Sequence, residues 1–303
     1  MWKLMENIIE KDDIDALTNF LNTSDRFTNG PKVQEFEQSW SDWLNVDHSV
    51  MVNSGASGNF LTIALVKELF GTGEVIVPSL GWSSDVSSIV QLGMTPVFVD
   101  VDPQTLGVNP KSLKAAISEE TKAIVIVHAL GFNAISRDVK AILDDAGIFV
   151  IEDCCESHGA LLGPDSKDRI GTYGDVSIFS FYFGHHITTI EGGVVCTNNE
   201  TLYQLSRMLR SHGMTREASL EVRKQYETEY PDLNPLFTFA IAGFNFRSTE
   251  LNAVIGLSQL KKLDENIAIR SRNLDTWLDN LSGEKFKVDY GRSGNSNFAL
   301  PLI

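Results

Sequence analysis

Short apolar runs at residues 75–77, 97–99, 123–127 and 149–151 alternate with turns and helix-like stretches, and this alternation constrains the fold more than any other feature of the chain. Runs so short and so uniformly apolar read as strands buried on both faces, which occur where helices cover a mostly parallel sheet. The expected class is therefore α/β. Phe179 and residues 194–196 read as further strands. Ile14, Leu17, Phe20 and Leu21 mark a first helix, and Val33, Phe36, Trp40, Trp43 and Leu44 a second. A long helical repeat over 251–263 follows a Ser248/Thr249 cap.

A chain of 303 residues with 43% hydrophobic and 21% charged content is large enough for one big core or two unequal domains. The expected division is a large domain over 1–240, then a connecting helix and the start of a small C-terminal domain over 241–303. Residues 297–303 read as the opening strand of that small domain, which then stops. Residues 213–234 are polar, charged and aromatic without clean periodicity, and read as a long functional loop, a partner-contacting arm or a plain surface excursion. A formal net charge of −15 opposes nucleic acid or an anionic membrane as partner. No run approaches the roughly 18 apolar residues of a membrane span, and the N-terminus lacks an apolar signal core, so a cytoplasmic location is expected. Cys154, Cys155 and Cys196 cannot all pair and read as buried free thiols; a four-thiolate iron–sulfur site would need one more cysteine, and no metal is expected.

Four places carry candidate chemistry. Residues 149–153, Phe-Val-Ile-Glu-Asp, run up a buried strand and deliver Asp153 at its C-terminal end, where ligands of open α/β sheets bind. Such a carboxylate suits a cationic ring nitrogen, although an Asp ending a strand is also a common helix cap. The small-residue turn 53–59, with Gly55, Ala56 and Ser57, leads into a helical stretch over 60–70 and suits a phosphate, or is simply a cap. Trp82 follows the strand at 75–77 and is placed either to stack on a flat heteroaromatic ring or to pack at the rim. Asn245 and Arg247 stand just before the last long helix, where they suit a phosphate or carboxylate contact, or capping and surface pairing.

These residues resemble the sugar-nucleotide branch of the fold-type I pyridoxal-phosphate (PLP) enzymes, the DegT/DnrJ/EryC1/StrS group. The matching segments run collinearly through nearly the whole sequence: 30–33 with 35–37, 53–57, 96–102, Glu152-Asp153, Gly174-Asp175, Ser180-Phe181, 191–193 and 243–251. The resemblance implies a fold-type I transferase, a mostly parallel mixed sheet flanked by helices, here with a truncated small C-terminal domain. It further implies that Ala56, Ser57 and Ser180 hold the cofactor phosphate beside Gly55, that Trp82 stacks on the ring, and that Asp153 pairs with its nitrogen. Glu156 takes a place beside the ring where the family commonly has Gln. Asn245 would reach the phosphate in a neighbouring subunit, which implies a homodimer with shared sites.

One departure decides the expected activity. At the sixth residue of the loop starting at Ser180, aminotransferases of this group carry the lysine that bonds the cofactor, and this chain has His185, followed by His186. Imidazole makes no stable imine link, so the cofactor is expected to be held non-covalently as the amine form, pyridoxamine phosphate. The same Lys-to-His change is found in the related 3-dehydratases of 4-keto-6-deoxy sugar nucleotides, where the histidine is the base. His185, titrating near neutral pH, would then take and return a proton as the C3 hydroxyl leaves. His186 ranks second as a catalytic candidate and His212 is a weaker substrate contact. Of two kinds of such relative, one uses an iron–sulfur cluster and one regenerates its amine with glutamate; three cysteines fit the second. An aminotransferase working without this lysine, or with one supplied from elsewhere, and a non-catalytic cofactor- or sugar-nucleotide-binding protein are the alternatives.

Overall fold

The apolar runs pair into one seven-stranded sheet in the computed structural model, which describes residues 8–302. Two helices come first, α1 (Lys11–Thr23) and α2 (Pro31–Leu44). Strands and helices then alternate through β1 (His48–Val52), α3 (Gly55–Phe70), β2 (Glu74–Pro78), α4 (Ser83–Gln91), β3 (Thr95–Val99), α5 (Pro110–Ala116), β4 (Thr121–Val127), α6 (Arg137–Ala146) and β5 (Phe149–Asp153). The chain continues through β6 (Val176–Ser180), β7 (Gly193–Thr197), α7 (Glu200–Arg210), α8 (Leu220–Glu229), α9 (Glu250–Leu260) and α10 (Leu263–Asn280). Spatial order is β1-β7-β6-β5-β4-β2-β3. Only β7 runs against its neighbours, so the sheet is mixed but mostly parallel, as expected.

Alternation along each strand divides the core into two layers. Val75, Val77, Val125, Ile151, Ile178 and Val195 pack with Leu61, Leu65 and Ile89 of α3 and α4 on one face. On the other face Ile76, Ile124, Ile126 and Val150 meet Leu113, Val139 and Leu143 of α5 and α6. There Met51, Phe179 and Cys196 also meet Phe36 and Trp40 of α2 and Ala253 of α9. The same alternation turns neighbouring carboxylates to opposite faces. Glu152 lies with Val150 and Asp153 with Ile151.

Glu152 is consumed by the scaffold. It accepts from His128 Nε2 (3.0 Å) and from the backbone N–H groups of Gly171, Tyr173 and Gly174 (3.0, 2.9 and 2.7 Å). Burial pushes its pKa up, but these donors, His128 foremost, hold it below the ordinary value. His128 Nδ1 accepts from Ala134 N at 3.1 Å, so both ring nitrogens are used and Nε2 carries the proton.

Four elements differ from the sequence reading, and the first is β3, an edge strand with Phe98 58% exposed and not a strand buried on both faces. Residues 213–234 are not one loop but contain α8, capped by Ser219 Oγ accepting from Val222 N; α8 buries none of its residues, so no apolar stripe announced it. The helical repeat over 251–263 is broken at Lys261-Lys262, where Lys262 Nζ reaches Glu10 and Asp12 (2.8 and 2.7 Å) and Leu263 starts α10 in the core. Residues 297–302 form no strand. Ser296 and Phe298 bond the carbonyls of Gly131 and Leu130 (both 3.0 Å), and Pro301, lacking an N–H, does not extend the pairing.

Candidate active site

The C-terminal ends of the parallel strands collect the candidate residues on one edge. Asp153 ends β5, Ser180 ends β6, α3 starts after a two-residue link from β1, and Trp82 follows β2. Open α/β sheets bind ligands at this edge, because the loops there leave a crevice lined by helix N-termini.

The start of α3 has the geometry that suits an anion. Ser54 caps the helix through Ser57 N (3.0 Å) and also lies 3.0 Å from Ser57 Oγ. Gly55 and Ala56, in the first turn, have backbone N–H groups with no intrahelical acceptor. A Cβ on Gly55 would lie 2.6 Å from Ser180 Cβ, so the helix start and the end of β6 touch and only glycine fits between them. Ser57, Ala56 and Ser180 thus share one rim, a donor set suited to phosphate.

Beside that rim is a buried acidic cluster. Asp153 is 5% exposed; its Oδ1 accepts from Cys155 N (2.9 Å) and its Oδ2 from Asn59 Nδ2 (3.0 Å). The same Asn59 nitrogen lies 2.8 Å from Asp85 Oδ1 and 2.9 Å from Ser84 Oγ. Burial, then the charge of Asp153 and hydrogen bonding to it, raises Asp85 well above the carboxylate range. Glu156 accepts from Leu130 N (2.8 Å), and burial raises it too. Leu130 takes φ 56°, a left-handed conformation uncommon for leucine, and that turn aims its N–H at Glu156. Trp82 is 71% exposed at the N-cap of α4, a flat apolar surface beside these acids.

His185 sits in the loop after β6, its ring 5.3 Å from that of Phe298 and 5.9 Å from that of His158. Burial pushes its pKa down to about 4, with Asp153 opposing and Arg270 adding to the fall. The expectation of titration near neutral pH is thereby corrected: desolvation keeps the imidazole neutral. His186 is fully buried, and its Nε2 donates to Ser296 O at 3.0 Å, which leaves Nδ1 as the bare nitrogen. It is fastened to the C-terminal segment, and the buried His158 packs 4.9 Å from it.

Asp153, Ser57, Ser180, Trp82, Glu156 and His185 are therefore gathered at one edge, and Gly55 and Ala56 with them. Asn245 is not part of that group. It is exposed in a segment that runs beside β1, bridged to Ser211, while Arg247 pairs with Val52. His212 bonds Phe244 O through its backbone and takes φ 64°. Asn59, Asp85 and Arg270 were not picked out from sequence. A signal existed for Asp85: it stands three residues after Trp82, the place from which a carboxylate caps the first turn by accepting from Trp82 N (3.0 Å).

The residues present fit PLP or its amine form: a helix start and two serines for phosphate, an exposed indole for a ring face, and a buried carboxylate for a cationic nitrogen. A model of the DegT/DnrJ/EryC1/StrS aminotransferase family matches residues 7–297. The chain is 36% identical to a GDP-4-keto-6-deoxy-D-mannose 3-dehydratase of Yersinia pseudotuberculosis, over 97% of this chain and 76% of the relative. Among solved structures, the GDP-4-keto-6-deoxy-D-mannose-3-dehydratase of E. coli with bound hydrated PLP has a TM-score of 0.87 at 30% identity, covering 98% of this chain and 77% of that one. A GDP-4-keto-6-deoxymannose-3-dehydratase with a trapped PLP-glutamate geminal diamine has a TM-score of 0.85 at 31% identity, with 98% and 77% covered.

Proposed function

Because the chain belongs to the DegT/DnrJ/EryC1/StrS aminotransferase family, we propose that it is a PLP-dependent dehydratase that removes the C3 hydroxyl of a nucleotide-linked 4-keto-6-deoxyhexose. The similarity to dehydratases that act on GDP-4-keto-6-deoxy-D-mannose makes that compound the first substrate to test. The single observation that carries the reading is His185, which stands in the loop after β6 where aminotransferases of this family carry their lysine, at the same sheet edge as Asp153, Ser180 and Trp82.

Each residue has work to do in this reaction. The α3 start with Ala56 and Ser57, together with Ser180, holds the phosphate, Trp82 covers one ring face, and Glu156 stands at the ring edge. Asp153 keeps the ring nitrogen protonated. When bound, the cofactor supplies an amine that condenses with the sugar ketone and an electron sink for the pair released when a proton is removed. His185, unprotonated at neutral pH, takes that proton and, as the imidazolium, has one to give the oxygen leaving C3. His186 supports the loop behind it. The sugar loses its C3 oxygen as water, one water is taken up as the glutamate nitrogen is released as ammonia, and glutamate is oxidised to 2-oxoglutarate, so that no net water is formed. This balances a two-electron reduction of the sugar without an iron–sulfur cluster.

Among the described residues no helix is long and apolar enough to cross a membrane, and all three cysteines are free. We place the enzyme in the cytoplasm as a homodimer, with exposed Asn245 completing the phosphate site of a second copy.

The test is an absorbance spectrum of the protein mixed with PLP and then glutamate, before and after borohydride. The expected result is an amine-form band in the near ultraviolet and no cofactor fixed to protein. A visible band that borohydride locks onto a lysine would overturn the role of His185 and favour transamination. No binding at all would favour a non-catalytic protein.

A further inference from the structure

Three carboxyl groups, Asp153, Asp85 and Glu156, converge where a single cationic ring nitrogen is to be held. Were all three ionised, the buried site would carry more negative charge than one pyridinium balances, at a desolvation cost for each. The geometry contains a different arrangement. One side-chain nitrogen, Nδ2 of Asn59, lies 2.8 Å from Asp85 Oδ1 and 3.0 Å from Asp153 Oδ2. Asp85 is 2% exposed and Asn59 4%. Trp82 N fixes the second oxygen of Asp85 at 3.0 Å, and a Cβ on Gly81 would lie 3.0 Å from that oxygen, so the carboxyl has little room to turn away. Two carboxyls clamped by one amide in a site closed to water are stable when they share a proton, as like charges this close cannot both ionise.

We propose that Asp85 is the protonated partner of Asp153, donating a hydrogen bond to it, and that Asn59 holds the two as a one-proton pair. The pair leaves one net charge opposite the ring nitrogen. Asp85 is thus a positioning residue, acting on the cofactor through Asp153, and this second part rests on the cofactor reading given above. The ionisable groups acting on Asp85 are Asp153 and Glu156, with the Cys155 thiol beside them, and none is cationic. The raised pKa of Asp85 agrees with the geometry.

Two variants and two readouts test it. Asp85→Asn keeps shape and donor but has no proton to lose, whereas Asp85→Ala removes the group. In cofactor-free protein, a native Asp85 that holds its proton binds more protons than Asp85 in the unfolded chain, so the contribution of this one group to wild-type stability falls as pH rises above about 4. The melting temperature of Asp85→Asn minus that of wild type is therefore expected to grow steadily from about pH 5 to about pH 8. A difference that stays flat over this range means an ionised Asp85 and overturns the proposal. The second readout is pyridoxamine phosphate affinity, followed by absorbance titration at neutral pH. Asp85→Asn is expected to stay within about threefold of wild type and Asp85→Ala to weaken by about tenfold or more. Equal weakening by both variants overturns the donor role. If wild type itself binds no pyridoxamine phosphate while the pH-dependent melting difference is present, the shared proton stands and the cofactor reading fails instead.

Discussion

Asn59 of α3 and Asp153 of β5 are joined across the helix–sheet interface, Nδ2 to Oδ2 at 3.0 Å. α3 is otherwise apolar along most of its length, so a buried amide there needs partners, and the two carboxyls supply them. Asn59→Ala leaves Asp153 and Asp85 without this donor and is expected to cost about 1–3 kcal/mol. Asn59→Asp replaces the donor with a third carboxyl beside this pair and is expected to cost more. Urea unfolding of the two variants, fitted with a common slope, checks the order.

Acid stability should report the three packed histidines. Burial keeps His158 and His186 well below the ordinary histidine value and His185 at about 4. In the unfolded chain each protonates near 6.5, so below that pH the unfolded state binds more protons and folding stability falls as pH drops. The expected result is a melting temperature that declines from pH 7 toward pH 5, and a shallower decline in His158→Phe, which keeps the contacts with Trp40 and Phe179 but has nothing to protonate. An equally steep decline in this variant would place the sensitivity elsewhere.

His185→Asn removes the proposed base but leaves Ser57, Ser180, Trp82 and Asp153 untouched. Turnover is expected to fall by about a hundred- to ten-thousandfold with cofactor affinity changed little. Wild-type turnover should be nearly flat from pH 6 to 8 as far as His185 is concerned, because its pKa lies at about 4 and it is unprotonated throughout. A pH–rate profile for both proteins checks this.

In the proposed site Trp82 serves cofactor binding and adds almost no stability. At 71% exposure its side chain does little for the core, so Trp82→Ala should move unfolding by under about 0.5 kcal/mol. Loss of the stacking face should weaken pyridoxamine phosphate binding by about three- to tenfold. Equilibrium titration alongside a thermal melt separates the two effects.

What was legible in the sequence follows from what leaves a local trace. The strands at 75–77, 123–127 and 149–151 are buried on both faces and wrote uninterrupted apolar runs, and Asp153 was readable because it terminates one of them. α8 left no such trace, since none of its side chains is buried. The low pKa of His185 was not readable either, because it depends on burial among Phe298, His158 and Arg270, the last two 27 and 85 residues away along the chain and the first further still. The pairing of Asp85 with Asp153 depends on Asn59, which lies 26 residues from one and 94 from the other. Local patterns name residues that end strands, such as Asp153; long-range packing decides that Asp153 meets Asp85 and Asn59.

The most direct test of the central claim is mass spectrometry of the product formed from GDP-4-keto-6-deoxy-D-mannose with PLP and glutamate. The expected product is a sugar nucleotide lighter by one oxygen atom, still carrying its 4-keto group, with ammonia and 2-oxoglutarate released in equal amounts and both lost in His185→Asn. A product carrying an amino group in place of the keto oxygen, with no ammonia released, would contradict it.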